Sequence, residues 1–274
     1  MQTTLEDINL STEDTGLGRP LVFLHGFPFS RSVWQTQIDA FRSSYRVIAP
    51  DLCGFGVSPT RYGATTMAQY AGDLHTLLQK LATGPIVLVG HSMGGYVALA
   101  FARQFPEMLT GLVLVSTKAG QDTAVVAAAR RATAEKVQAE GVHVIVDPMA
   151  AKMLAPGNHD ESLIGQVRGL MSSSHSVGVS GALLGMAERP DSTALLAQIL
   201  VPTLIITGTE DAVMPRAESE KLADGIRGSQ LRAIALAGHL VALEQPDEFN
   251  RVLKQWLSQK DTRAPHQPRS DRDV

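Results

Sequence analysis

Uninterrupted apolar runs alternate along this chain with stretches whose apolar positions recur every three to four residues. PLVFLHG (20–26), YRVIAPD (45–51), PIVLVGH (85–91), LTGLVLVS (109–116), VPTLIITG (201–208) and SQLRAIALAG (229–238) have the length and content of buried strands. Between them, WQTQIDAFRSS (34–44), TTMAQYAGDLHTLLQKL (65–81), SMGGYVALAFARQFP (92–106), PRAESEKLADGI (215–226) and PDEFNRVLKQWLSQ (246–259) carry the helical period. The second of these opens on a Thr cap and closes near Gly84; the third stops at its proline. Apolar strands between amphipathic helices predict a parallel sheet covered on both faces. In such sheets the chemistry sits on loops at the carboxyl ends of strands.

Residues 118–190 break the rhythm. They are rich in Ala, Met and Ser, carry helical tracts such as DTAVVAAARRATAEKVQAE (122–140), and offer no obvious buried strand. The pattern predicts a helical cap inserted over the sheet's carboxyl edge. The expected division is a core from 1–117 and 191–259, a cap from 118–190, and a disordered tail, KDTRAPHQPRSDRDV, from 260–274.

The 274 residues carry a formal net charge of -3, with 44% hydrophobic and 19% charged residues. This ordinary globular balance gives no reason to expect nucleic acid as a partner. The polar N-terminus lacks the basic flank and apolar core of a secretory signal, and no apolar run is long enough to span a bilayer. The single cysteine, Cys53, cannot form an internal disulfide, which fits a cytoplasmic protein.

Against this background GHSMGGY (90–96) stands out, because it places three glycines beside one serine where a strand should turn into a helix. GHSMG is G-x-S-x-G. Such a pattern arises by chance in a chain this long with a probability on the order of 0.1, so its placement carries the argument. A serine at a sharp strand-to-helix turn is strained, and its neighbours two positions away must be small because the two backbones nearly touch. Gly90 and Gly94 supply that space, Gly95 lets the helix approach the sheet, and the turn lifts Ser92 clear at a helix N-terminus.

A serine hydroxyl needs a base. His75 falls within a helix, His143, His159 and His175 fall in the cap, and His266 is in the tail. His91 flanks Ser92 but should point away from it. His239, in the small-residue loop AGHLVALEQP after the last strand, is the expected base. The acid that orients it should come from GTEDAVMP (208–215), where Asp211 suits a fixed turn better than the longer Glu210; Asp122 is a rival after strand 109–116. For a developing oxyanion, the backbone N–H of Met93 directly follows the nucleophile, and HGFP (25–28) offers the N–H of Phe27, since Pro28 has none.

HGFPFSRSVW, APDLCGFGVSP, VGHSMGGYVAL, GTEDAVMP and AGHLVALEQPDEF, in this order, resemble the α/β-hydrolase superfamily, within it most closely small bacterial carboxylesterases and β-ketoadipate enol-lactone hydrolases. The resemblance covers almost everything but the tail. It implies an eight-stranded, mostly parallel sheet with a helical cap, no cofactor or metal, and a two-step acyl-enzyme mechanism. Cys53 departs from the residue many relatives carry there and reads as an inert thiol.

The leading expectation is hydrolysis of small to medium carboxylic esters. Phe27, Phe29, Met93, Leu240 and the cap residues Met149, Met153, Met171 and Met186 are candidates for an apolar pocket. The same triad would serve an enol-lactone hydrolase, which needs a cation from among Arg130, Arg131, Arg168 and Arg189, or a perhydrolase. A different class is a weakly catalytic ligand receptor. The expected partner is a small ester or lactone, with neither nucleic acid nor membrane. Acyl length and oligomeric state are not legible.

Overall fold

A computed structural model describes residues 9–261. Its seven-stranded sheet runs β1 (Thr12–Thr15), β3 (Arg46–Pro50), β2 (Pro20–Leu24), β4 (Ile86–His91), β5 (Leu109–Val115), β6 (Thr203–Gly208), β7 (Gln230–Ile234). All neighbours are parallel except β1 and β3. The described residues thus hold seven strands where eight were expected.

Strand side chains alternate between two cores, as a period of two requires. Val22, Leu24, Leu88, Leu112 and Leu114 face one way, where α2 (Met67–Lys80) and α3 (Met93–Gln104) cover them. Leu21, Phe23, Val87, Val89 and Val113 face the other, beneath α1 (Gln35–Phe41) and α11 (Pro246–Asp261). Helix α2 starts as the Thr cap predicts: Thr66 and Gln69 form a reciprocal capping box, a device worth about 1 kcal/mol.

Two strand expectations change. TEDT (12–15) reads as polar chain but forms β1, because it pairs with β3 and Asp14 bridges Arg46 at 2.6 Å. The last strand stops at Ile234 rather than 238, since Leu236 takes a left-handed conformation (φ 55°) and the chain leaves the ladder.

Between β5 and β6 lie four longer helices, α4 (Ala124–Glu140), α5 (His143–Met153), α6 (Glu161–Ser172) and α7 (Ser176–Ala187), then the short α8 (Thr193–Leu196); the described residues there contain no strand. Helix α9 (Arg216–Gly225) follows β6, and the short α10 (Val241–Glu244) precedes α11. The tail expected at 260–274 lies outside the described residues apart from 260 and 261, which end α11.

Candidate active site

Strand β4 ends at His91, α3 begins at Met93, and Ser92 makes the whole turn between them. Its backbone sits at φ 51°, ψ −113°, a conformation costing about 1–3 kcal/mol for a residue with a side chain. Four hydrogen bonds hold it there: the Ser92 N–H donates to Val115 O (2.9 Å), while Ser92 O accepts from Gly95 N (2.9 Å), Tyr96 N (3.3 Å) and Thr117 Oγ1 (2.8 Å). A methyl group on Gly94 would lie 2.6 Å from Leu24 O, and one on Gly90 would strike the Gly94 carbonyl. Larger residues at either position would force the strand and helix apart.

The turn after β6 and the loop after β7 bring Asp211 and His239 to Ser92. His239 Nε2 lies 2.9 Å from Ser92 Oγ, and His239 Nδ1 lies 3.0 and 3.1 Å from the two Asp211 oxygens. A carboxylate only accepts, so Nδ1 carries the proton and Nε2 is free to accept from the serine hydroxyl. Asp211 Oδ1 also accepts from the amides of Val213 and Met214 (2.9 and 2.8 Å). Burial opposes ionisation of this carboxyl, but the hydrogen bonds and charge interaction with His239 and the Met214 amide together hold it below the usual carboxylate range. Glu210 is only half-buried and makes no bond to the histidine; Asp122 is bound elsewhere, by Lys118, Arg130 and Arg189.

His239 is fixed from behind by groups distant in sequence. His91 points away from Ser92, as expected, and its Nε2–H donates to His239 O at 2.9 Å. Burial, reinforced by the neighbouring His239, pushes His91 down to about 3, so it stays neutral. Glu244 accepts from Gly238 N (2.6 Å), Ala155 N (2.8 Å) and Asn158 Nδ2 (3.0 Å), and Leu240 N donates to Met153 O (3.0 Å). The histidine loop is therefore bonded directly to the segment ending α5.

The loop after β2 passes beside the serine. Among the described residues, the N–H groups of Phe27 and Met93 donate to no protein acceptor, and that of Met93 opens a helix, where no intrahelical partner exists. His25 braces this loop: Leu52 N–H donates to its Nε2 (3.0 Å), so its Nδ1–H donates to Gly26 O (2.9 Å). Burial lowers its pKa and keeps it neutral.

Ser92 and His239 open into a cavity of about 330 Å³, bordered by Phe27, Tyr96, Val126, Met149, Met153, Met186 and Met214, with Lys118, Asp122, Arg130 and Glu218 as its charged groups. Of the anticipated pocket residues, Phe29, Met93, Leu240 and Met171 do not border it; Phe29, Leu240 and Met171 pack in the core beneath α1 and α11, and Met93 in the core under α2 and α3. Of the four arginines considered, Arg130 borders it and Arg189 is buried against Tyr96, its guanidinium 3.9 Å from the ring centroid. Arg131 is exposed, and Arg168 pairs with Asp147 at the surface. Cys53 is buried, and burial raises its thiol pKa. Among the described residues no three His, Cys, Asp or Glu side chains are grouped to hold a metal, and no helix is long and apolar enough to cross a membrane.

Sequence reasoning did not find His25, Tyr96, Thr117, Lys118 or Glu244 as site residues. Only Tyr96 had a readable signal, since it lies one helical turn beyond Ser92.

Comparison with known proteins gives a consistent picture. A family model described as alpha/beta hydrolase fold matches residues 19–246. The chain is 29% identical over 257 residues to 3-oxoadipate enol-lactonase 2 of Acinetobacter baylyi, covering 92% of this chain and 94% of that one. It is 42% identical, with a TM-score of 0.90, to a thermophilic esterase from Thermogutta terrifontis, covering 92% and 94%. An enol-lactonase from Burkholderia xenovorans, 23% identical with a TM-score of 0.85 and coverage of 92% and 97%, shares the fold.

Proposed function

Because the chain belongs to the alpha/beta hydrolase fold family, we propose that it is a serine hydrolase cleaving small to medium carboxylic esters through an acyl-enzyme. The observation that carries this reading is the unbroken line of hydrogen bonds from Ser92 Oγ through His239 to Asp211, its serine end facing the cavity. In the reaction, Ser92 Oγ attacks the ester carbonyl carbon as His239 Nε2 takes the hydroxyl proton. Asp211 keeps the imidazole in the required tautomer and stabilises the imidazolium. The amides of Phe27 and Met93 receive the oxyanion; removing one such donor typically costs 10²–10³ in rate, about 3–4 kcal/mol. As the tetrahedral species collapses, His239 hands its proton to the departing alkoxide. Water then enters, gives its proton to His239, and attacks the acyl-enzyme, and Ser92 leaves with that proton.

Residues 118–190 serve as the cap over this site, since α4, α5 and α7 supply Val126, Arg130, Met149, Met153 and Met186 to the cavity. Flexible thioethers make an adaptable apolar wall, suited to an acyl chain rather than a rigid ring. A cytoplasmic setting is supported by the single, unpaired cysteine. Initial rates on p-nitrophenyl esters from acetyl to decanoyl, with Ser92→Ala as blank, test the proposal. Ser92-dependent turnover with a maximum at one chain length is expected, with kcat lowered on the order of 10⁵-fold or more in the variant and thermal unfolding nearly unmoved. Near-wild-type activity in Ser92→Ala would remove the nucleophile assignment.

A second reading, a lactone or ester bearing a free carboxylate, is favoured by one observation. Lys118, Arg130 and Arg189 surround the single carboxylate of Asp122, and Lys118 and Arg130 also border the cavity. Comparing a dicarboxylic half-ester with its neutral diester, in wild type and in Arg130→Gln, separates the two: only the anionic substrate should suffer from the substitution.

A further inference from the structure

Helix α3 runs away from the nucleophile, and its period of nearly four sets Ser92, Tyr96, Ala100 and Gln104 on one stripe. The first two border the reaction cavity. The last three border a second cavity of about 350 Å³, open at the surface and lined also by Met67, Ala68 and Pro190. Tyr96 is the one residue common to both linings. It is 4% exposed and stands where the two linings meet.

The ring is also held in place. Arg189 lies over it at 3.9 Å and is itself 6% exposed. Its guanidinium donates to Ala119 O (3.4 Å) and Asp122 Oδ1 (3.5 Å), and Asp122 is bound in turn by Arg130 and Lys118. A cation stacked on a buried ring disfavours a rotamer swing of that ring. The second cavity presents Met67, Ala68, Ala100 and Pro190 as apolar surface, with Arg103, Gln104 and Glu188 as its polar members. That chemistry accepts a hydrocarbon chain along its apolar side.

We propose that Tyr96 is the partition that ends the acyl pocket and fixes the longest chain accepted, and that the cavity behind it is a latent subsite for an acyl tail. The inference rests on the ester-hydrolase reading of Ser92. Replacing Tyr96 by a small residue joins the two spaces along α3 and lets a chain attached to Ser92 continue past Arg189. The residue shapes the pocket without touching the reacting atoms, so its effect is read in chain-length preference.

The test is the ratio of kcat/KM for p-nitrophenyl decanoate to that for p-nitrophenyl butanoate in wild type, Tyr96→Ala, Ala100→Trp and the double variant. Tyr96→Ala is expected to raise the ratio by at least about tenfold, the scale on which a hydrophobic pocket discriminates chain length. Ala100→Trp fills only the second cavity; it should leave the wild-type ratio unchanged and should cancel the gain in the double variant. An unchanged ratio in folded, active Tyr96→Ala overturns the proposal, as does a gain that survives Ala100→Trp. A shift caused by Ala100→Trp alone also overturns it, because the cavities would then already communicate; this arm needs no change at Tyr96. If Tyr96→Ala does not fold, Tyr96→Leu carries the same expectation with a smaller rise. Absence of any Ser92-dependent turnover in wild type would instead overturn the ester reading from which the partition follows.

Discussion

The sheet edge and the helical insert build the site in different ways. At the edge, each proposed catalytic group stands on a turn or loop at a strand's carboxyl end: Ser92 between β4 and α3, Asp211 past β6, His239 past β7. In the insert, cavity residues come from three separate helices and meet only through packing, as Val126, Met149 and Met186 do. The contrast teaches that local geometry sets the chemistry whereas tertiary docking sets what the chemistry is applied to. The first tolerates almost no substitution; the second should tolerate many, with altered preference.

The sharpest way to break this division is at the acid. Asp211→Asn presents an amide where the histidine needs an acceptor and should lower kcat by about 10⁴-fold, whereas Glu210→Gln, one residue away, should stay within about twofold. The reverse ranking, in initial rates on p-nitrophenyl acetate, would move the acid by one position.

Next in size is the bond between the two regions. Glu244→Gln weakens the carboxylate that accepts from Gly238, Ala155 and Asn158. A drop of about tenfold in kcat and about 2 kcal/mol in unfolding free energy is expected, since hydrogen bonds to charged groups are worth about 1.5–3 kcal/mol each. Unchanged kcat alongside lowered stability would mean the insert holds itself together without positioning His239.

Smaller still should be the insert's own side chains. Met149→Ala or Met153→Ala should shift relative kcat/KM along the ester series by about threefold to tenfold, leaving the acetyl ester within about twofold. If either substitution cost as much on the acetyl ester as Asp211→Asn does, the division between regions would be wrong.

The buried histidines sharpen the comparison from the stability side, because both brace loops at the sheet edge. His91 is lowered to about 3, and His25 is also lowered, by burial. The unfolded chain, with histidine near 6.5, binds protons the native state refuses. The stability that His91 contributes by staying neutral is therefore complete above about pH 6.5 and falls as pH drops toward 3, by about 1.4 kcal/mol per pH unit, and His25 adds to it in the same direction. Urea midpoints at pH 7.5 and 5.5 should differ accordingly, by about 1.4 kcal/mol from His91 alone. A flat profile across that window would show that these rings accept protons without cost.

Legibility in the sequence follows the same line. The elbow could be read because glycine spacing, apolar strand and helix start all lie within GHSMGGY and its neighbours; Asp211 and His239 could be read because each follows a strand end. Helix α2 was legible through its Thr cap and helical period. What escaped depends on long-range partners. TEDT becomes β1 by pairing with β3, His25 acquires its role through Leu52, and Glu244 through residues 86 and 89 positions away. Met171 looked like a pocket thioether and is core, because composition does not say which helices of the insert reach the cavity.

The approach of the histidine loop to residues 154 and 155 is close enough that a methyl group on Gly238 would strike the backbone there, and Leu240 donates to the Met153 carbonyl. For anyone re-engineering this protein, the practical seam between exchangeable and fixed parts therefore does not follow the chain order. A chimera that imports a foreign insert wholesale discards the surface on which His239 rests. One that keeps residues 153–158 with the host, and swaps α4, α6 and α7 around them, leaves that surface intact.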